Sequence, residues 1–140
     1  MITLSAPDAT TLLDYAEAHL AAIVRGGAHP PPPKLSLLDL EYGVFATLRA
    51  SGALRGCIGE FAGTGALRRL IPRVIRGAAL SDPRFSPVEP AELPGLSVSL
   101  SLLSPVEPVG GYAAIELGRH GVLLSVGRRR ALFLPEVATE

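Results

Sequence analysis

The sequence predicts an α+β protein with a largely antiparallel sheet and helices packed on it. Two stretches carry apolar residues at helical spacing, and short runs of alternating residues are joined by tight turns instead of long crossovers. The chain has 140 residues, of which 48% are hydrophobic and 19% charged. This size and composition indicate one compact globular domain over residues 1–140.

The first predicted helix begins at Ser5–Asp8, whose sequence SAPD resembles a capping box. Apolar residues then recur every three or four positions, and Gly26 and Gly27 end the helix. In the next segment, Ala28–Ser36, four consecutive prolines lack N–H donors. We expect an extended polyproline connector there. An SH3 ligand is the alternative, but the segment lacks a suitably spaced arginine.

Tyr42–Gly59 is predicted to form a hairpin with a three-residue loop, Ala50–Gly52, and with Leu48 opposite Leu54. Side chains of strands alternate between faces, so this register separates an apolar face from a more polar one. The apolar face carries Val44, Ala46, Leu48, Leu54, Gly56 and Ile58, and the other carries Phe45, Thr47, Arg49, Ala53, Arg55 and Cys57. Cys57 is therefore predicted to lie away from the core, although a slip of one residue would reverse this.

A second helix is predicted from an N-cap at Thr64 to about Ser81; because of Pro72 it is expected either to kink or to begin only near residue 71. Its apolar stripe is Leu67, Leu70, Ile71, Val74, Ile75 and Ala78, and its polar face carries Arg68, Arg69, Arg73 and Arg76. The proline-rich stretch Ser81–Gly95 is predicted as a loop, and Leu96–Leu103 as a half-buried strand. A second hairpin is expected from Gly121–Val126 and Ala131–Leu134, around Gly127–Arg130.

Composition excludes several classes of protein. A single cysteine, Cys57, excludes an internal disulfide and a CxxC site, and three scattered histidines give no local metal spacing. Thirteen basic and thirteen acidic residues balance, so no overall charge attracts nucleic acid. The N-terminal twenty residues lack a basic region before an apolar one, and no apolar run is long enough to span a bilayer. We expect a cytoplasmic protein with no membrane association; no cofactor is indicated.

The segment LRGCIG, Leu54–Gly59, is the first candidate site. Gly56 and Gly59 indicate close approach of a neighbouring strand or of a ligand. Arg55 lies two residues before Cys57 on the same strand face, where a guanidinium can reach the sulfur and favour the thiolate. The alternative is a small buried hydrophobe, a common role of free cysteine.

The segment DPRF, Asp82–Phe85, is the second candidate. Asp82 is a natural turn residue before Pro83, and Phe85 can anchor the loop in the core. Arg84 can bind an anionic ligand or pair with Asp82 or Glu89. His120 is most simply a loop residue at the start of a strand, and it is also the histidine to inspect first for proximity to Cys57. The arginines of the second helix and Arg128–Arg130 form two basic clusters, for which a solvated face is favoured over RNA binding.

These motifs, in order, make the chain similar to the AMMECR domain family, named after the Alport syndrome–elliptocytosis chromosomal region. The matching segments are GVFATL, LRGCIG, DPRF, ELPGLSVSLSLLSP, GVLLS and ALFLPEV. The resemblance implies an α+β fold in which the LRGCIG turn and the DPRF loop lie close together. The family usually continues after FLPEV with an aromatic residue and helical sequence, whereas Ala138 follows here, so the C-terminal part of the family fold is expected to be missing.

The resemblance implies a pathway shared with Memo-type and radical-SAM proteins, but no reaction. Three hypotheses follow. The first is a surface at LRGCIG that binds a small anionic ligand or a partner protein, through Arg55, Gly56, Gly59, Asp82, Arg84 and His120. The second is an enzyme in which Cys57 is the nucleophile or a thiol ligand, with Arg55 and Arg84 orienting the substrate. The third is binding of RNA or another polyanion. A homo-oligomer is left open.

Overall fold

The computed structural model describes residues 4–139, with the side chains of residues 138 and 139 excepted. The chain forms two compact units, Met1–Pro105 and Val106–Glu140. The first contains α1 (Ala6–Arg25), β1 (Gly43–Ala50), β2 (Ala53–Glu60), α2 (Leu67–Leu80) and β3 (Leu96–Leu103). The second contains β4 (Val122–Val126) and β5 (Arg129–Phe133). This arrangement confirms the prediction of helices with an antiparallel sheet; the single domain over residues 1–140 stays a prediction.

The sheet of the first unit has the order β2-β1-β3, with both pairs antiparallel. One face of this sheet carries Val44, Ala46 and Leu48, all fully buried, and β3 contributes its alternate apolar residues there. The predicted stripe of α2 is buried in the same core, together with Leu12, Ala16 and Leu20 of α1. The hydrophobic periodicity therefore located the core of this unit correctly.

The termini of α1 were predicted correctly, because local chemistry determines both. The hydroxyl of Ser5 accepts a hydrogen bond from the N–H of Asp8, and Gly26 ends the helix with a φ of 76°. The start of α2 was predicted wrongly. The helix begins at Leu67 after Ala66, and the hydroxyl of Thr64 donates to the preceding loop, to Glu60 and Phe61, instead of capping the helix.

The register of the first hairpin was also predicted wrongly, by two residues. Leu48 lies opposite Gly56, and the loop contains only Ser51 and Gly52. Both residues have positive φ, 50° and 82°, as a type I′ turn requires. A β-bulge follows at Arg55, so Leu54 turns away from the core and is exposed. Beyond the bulge the error is an even number of residues, so the faces of Gly56, Cys57 and Ile58 were predicted correctly. Ala53 lies opposite Ala50 and so is on the other face from the one predicted.

The second hairpin is tighter than predicted. Its loop contains Gly127 and Arg128, and Gly127 has a φ of 59° at the first loop position, as in type II′ turns. Arg129 and Arg130 therefore belong to β5 and not to the loop.

Candidate functional site

The outer edge of β2 is capped at Cys57 by side chains of the DPRF segment. The carboxylate of Asp82 accepts a hydrogen bond from the backbone N–H of Cys57 at 2.9 Å. The guanidinium of Arg84 donates to the carbonyl oxygen of the same residue at 3.3 Å. Asp82 and Arg84 thus satisfy the two backbone groups that a further strand would otherwise pair with. The LRGCIG strand and the DPRF loop lie together, as the family resemblance implies.

Asp82 and Arg84 form an ion pair between a buried carboxylate and an exposed guanidinium. Only 2% of the Asp82 side chain is exposed, whereas 55% of the Arg84 side chain is exposed. Arg84 donates to Asp82 through Nε at 3.0 Å and Nη2 at 2.7 Å, and its backbone N–H donates at 3.1 Å. These bonds, with that from Cys57, hold the pKa of Asp82 far below its usual range despite its burial.

A second ion pair, Arg55–Glu92, joins β2 to the turn before β3. Arg55 donates through Nε at 2.7 Å and through Nη2 at 3.1 Å to the two carboxylate oxygens of Glu92. The hydrogen bond from Arg55 lowers the pKa of Glu92, and the backbone N–H of Glu89, which donates to the same carboxylate, lowers it further. Nη1 of Arg55 is buried and has no hydrogen-bond partner.

Phe85 lies between the two arginines. The guanidinium carbons of Arg55 and Arg84 are 5.9 Å and 5.6 Å from the centroid of its ring, within the range of cation–π contacts. The ring is half-buried and is not part of the buried core of the unit. The prediction that Phe85 anchors the loop in the core is therefore wrong. Its ring packs against the guanidinium groups of Arg55 and Arg84 instead.

The sulfur of Cys57 lies on the sheet face that does not carry the core, as predicted. Cys57 is opposite Thr47, and the Thr47 hydroxyl is 3.4 Å from the sulfur. Within the part of the chain that the structure describes, the sulfur is hydrogen-bonded to this hydroxyl and to no histidine nitrogen or carboxylate oxygen. Arg55 is directed at Glu92 instead of the sulfur, because a carboxylate is the stronger hydrogen-bond acceptor. Cys57 itself is half-buried.

Protein atoms account for both glycines of the motif. A Cβ atom on Gly56 would lie 2.1 Å from the carbonyl oxygen of Ala78, so Gly56 lets α2 pack against β2. A Cβ atom on Gly59 would lie 2.1 Å from the ring of Phe45, its cross-strand partner. A contact of Gly56 or Gly59 with a ligand stays a prediction.

His120 and two arginines on the polar face of α2 have hydrogen-bond or ion-pair partners nearby. His120 belongs to the second unit, where its Nδ1 accepts a hydrogen bond from the backbone N–H of Glu116 at 3.0 Å. On α2, Arg68 pairs with Asp39, and Arg73 pairs with Glu60. Two of the four arginines on the polar face of α2 therefore have carboxylate partners within the chain.

Sequence reasoning missed Glu92, although its segment was recognised as part of a family motif. Arg55 and Glu92 are 37 residues apart, and the proline-rich loop between them has no periodicity that would indicate where its carboxylate lies. The signal that could have identified it is the set of three carboxylates, Asp82, Glu89 and Glu92, in the loop that follows α2.

The comparison with known families gives a single answer. The family model described as AMMECR1 matches residues 13–140. The chain belongs to the AMMECR1 family. A curated relative from Methanothermobacter thermautotrophicus is 35% identical over 145 residues, which cover 98% of this chain and 76% of that protein. A relative from Thermotoga maritima is 41% identical over 103 residues, which cover 72% of this chain and 59% of that protein.

The fold is likewise that of a solved AMMECR1-family structure. The crystal structure of an uncharacterised protein from Pyrococcus horikoshii matches with a TM-score of 0.80 and 31% identity. The match covers 94% of this chain and 70% of that one. The chain spans between about half and three quarters of the length of the relatives it matches. No helix within residues 4–139 is long and apolar enough to cross a bilayer.

Proposed function

We propose that this AMMECR1-family chain is an adaptor that binds a partner protein through the surface formed by Arg55, Arg84 and Phe85, called here the arginine–phenylalanine surface. Glu92, Asp82 and the backbone of Cys57 hold the two arginines in place. The observation that carries the proposal is the fixed position of Arg84. Its guanidinium is half exposed, yet Asp82 and the carbonyl of Cys57 hold it in one orientation. A side chain already fixed in this way loses little conformational entropy when a partner binds.

The charges of this surface favour a protein over a small anionic ligand. Arg55 and Arg84 each have a carboxylate partner, so a free anion would have to displace Glu92 or Asp82. Asp82 is buried and accepts from the backbone as well, so its displacement would leave a buried charge unpaired. Arginine and aromatic residues, phenylalanine among them, are enriched in protein–protein interfaces relative to the rest of the surface.

The family resemblance supplies the partners to test. Memo-type proteins and radical-SAM proteins are the expected members of the shared pathway. We expect one of them, from the same organism, to bind the purified chain in isothermal titration calorimetry. Phe85→Ala and Arg84→Ala are each expected to weaken this binding at least tenfold, equivalent to about 1.4 kcal/mol.

Control variants distinguish the loss of a contact with the partner protein from the loss of the fold. Arg73→Ala removes an exposed arginine that also pairs with a carboxylate, but on α2, and should leave the affinity unchanged. Cys57→Ser keeps the backbone contacts of the site and should also bind normally. Circular dichroism confirms that each variant is folded. If neither protein binds the wild type, or if Phe85→Ala and Arg84→Ala bind as well as Arg73→Ala, the proposal is wrong.

A second candidate function is thiol chemistry at Cys57, which the partial exposure of this residue favours. Its weakness is the absence, among the described residues, of a group bonded to the sulfur that could remove its proton. The Thr47 hydroxyl can orient the sulfur but is a poor base.

The rate of alkylation distinguishes the two functions. We expect folded protein to react with iodoacetamide no faster than free N-acetylcysteine at the same pH, because no base bonds to the sulfur and the residue is half-buried. Labelling is followed by mass spectrometry, with urea-unfolded protein as the control for full exposure. A folded-state rate well above that of the free thiol would favour the enzyme and count against a purely adaptor role.

A further inference from the structure

A buried histidine of α1, His19, packs against a second histidine in the segment that follows the helix. Only 7% of His19 is exposed. Its ring centroid lies 5.7 Å from that of Tyr15, one turn earlier on α1, and 4.8 Å from that of His29. His29 itself is exposed. The two imidazoles therefore join α1 to the chain that has left it.

The Nδ1 atom of His19 is buried and has no hydrogen-bond partner in the part of the chain that the structure describes. A bare lone pair tolerates such a position, whereas an N–H group would be left unsatisfied, so the neutral ring carries its proton on Nε2. A second proton has to bind at Nδ1. There it would form a buried, charged donor without an acceptor, which is costly.

No opposite charge compensates a protonated His19 within residues 4–139. Helix α2, strand β3 and the 3₁₀ turn Pro90–Gly95 also pack against α1. The arginines of α2 are exposed on its polar face, and Glu92 of the turn pairs with Arg55. Burial lowers the pKa of His19 below its ordinary value, and the charge of His29 lowers this pKa further.

The connector Gly26–Leu35, which carries His29, is held by few backbone hydrogen bonds. Its four prolines have no N–H group. Neither the N–H of Ala28 nor that of His29 donates a backbone hydrogen bond to another described residue. Pro30 and Pro33 are only half-buried. Segments with few backbone hydrogen bonds and little buried surface open locally at low cost, so the side-chain contacts of the connector decide its position.

We propose that the contact between the rings of His19 and His29, called here the histidine contact, is an acid-sensitive latch that holds the connector on α1 near neutral pH and releases it when His19 is protonated. In the released state His19 regains water and its ordinary pKa of about 6.5. Because the pKa is lower in the closed state, the released state binds the proton more readily. The histidine contact is therefore fully stable above about pH 6.5 and is lost as the pH falls below that value. This latch is separate from the arginine–phenylalanine surface.

Nuclear magnetic resonance of the full chain, titrated from about pH 7.5 to about pH 5, tests the latch in the range where histidines change charge. At the upper limit we expect nuclear Overhauser effects between the ring protons of His19 and His29. As the pH falls, these effects should disappear, and the amide signals of the connector should shift with the same midpoint as the imidazole signals of His19. Circular dichroism should remain that of the folded protein.

His19→Phe is the matched control, because it keeps a ring at this position that cannot take up a proton. His29 still titrates in this variant, so changes that come from His29 alone remain. The ring contact in His19→Phe should persist at about pH 5. His29→Ala removes the repelling charge and should move the titration of His19 to higher pH.

Four results would overturn the proposal. One is a wild-type histidine contact that persists at the lower limit of pH, and another is a contact that is lost equally in His19→Phe. The third is unfolding of the whole protein together with the connector, because the release is local. The fourth is a His19 titration that His29→Ala leaves unchanged, and this result decides the matter if His19→Phe does not fold.

Discussion

Replacement of Asp82 by alanine is expected to lower the free energy of unfolding by about 2–3 kcal/mol. The carboxylate is buried and accepts hydrogen bonds from the Cys57 N–H and from Arg84. Its loss leaves the Cys57 N–H without a partner and releases the loop from β2. Arg84 is half exposed and can regain water, which keeps the cost below that of a fully buried pair. Urea unfolding followed by circular dichroism measures the change.

The pH dependence of stability provides the control for this prediction. The pKa of Asp82 is depressed in the folded protein, mainly by its hydrogen bonds from Arg84. Its contribution is therefore fully present above the pKa of the unfolded state, about 3.9, and is lost as the pH falls below that value. We expect the gap in stability between wild type and Asp82→Asn to be widest near neutral pH and to narrow below about pH 4. A gap that stays constant would show that the charge of Asp82 contributes nothing.

Gly56→Ala is expected to have an effect at least as large, about 3 kcal/mol or loss of the fold. The new Cβ atom would meet the backbone carbonyl of Ala78 at 2.1 Å, and a backbone atom cannot rotate out of the way. Helix α2 would have to move from β2 by about 1 Å or more to restore normal contact. Seven buried residues of α2 would shift with it.

Two other glycines make this prediction specific. Gly27→Ala adds a Cβ atom that meets nothing within 4 Å, and should change stability by less than about 0.5 kcal/mol. Gly77→Ala brings its Cβ atom to 2.9 Å from Cγ2 of Ile58, a side-chain atom at a longer distance than the carbonyl that Gly56→Ala meets, so an intermediate loss is expected. Thermal unfolding ranks the three variants. If Gly56→Ala unfolds at the same temperature as Gly27→Ala, the close approach of α2 is not required.

Much of the first unit could be predicted because its signals are local. Ser5 and Gly26 delimit α1, the alternation of Leu96–Leu103 identifies β3, and the apolar stripe of α2 is buried as predicted. Errors arose where the backbone conformation of single residues decides the structure. The positive φ of Ser51 shortened the first loop, and the bulge at Arg55 turned Leu54 outward. Neither feature is visible in the hydrophobic periodicity of the sequence, so it could not be predicted from that pattern.

The candidate site was predicted in part. Motif resemblance placed LRGCIG beside DPRF, and strand alternation placed Cys57 away from the core. The pairing of Arg55 with Glu92 and of Asp82 with the Cys57 N–H was not predicted, because these partners are 37 and 25 residues apart. Their contact depends on the path of a loop that contains several prolines.

By itself the sequence determined the helices, the strands, the face on which the sulfur lies and the family. Periodicity and capping act over a few residues, so they can be seen in the chain before it folds. Only the tertiary structure decided which carboxylate each arginine bonds to, and that the motif glycines accommodate α2 and Phe45. Those contacts join distant segments, and their energy depends on distances of a few ångströms that only the packed chain fixes.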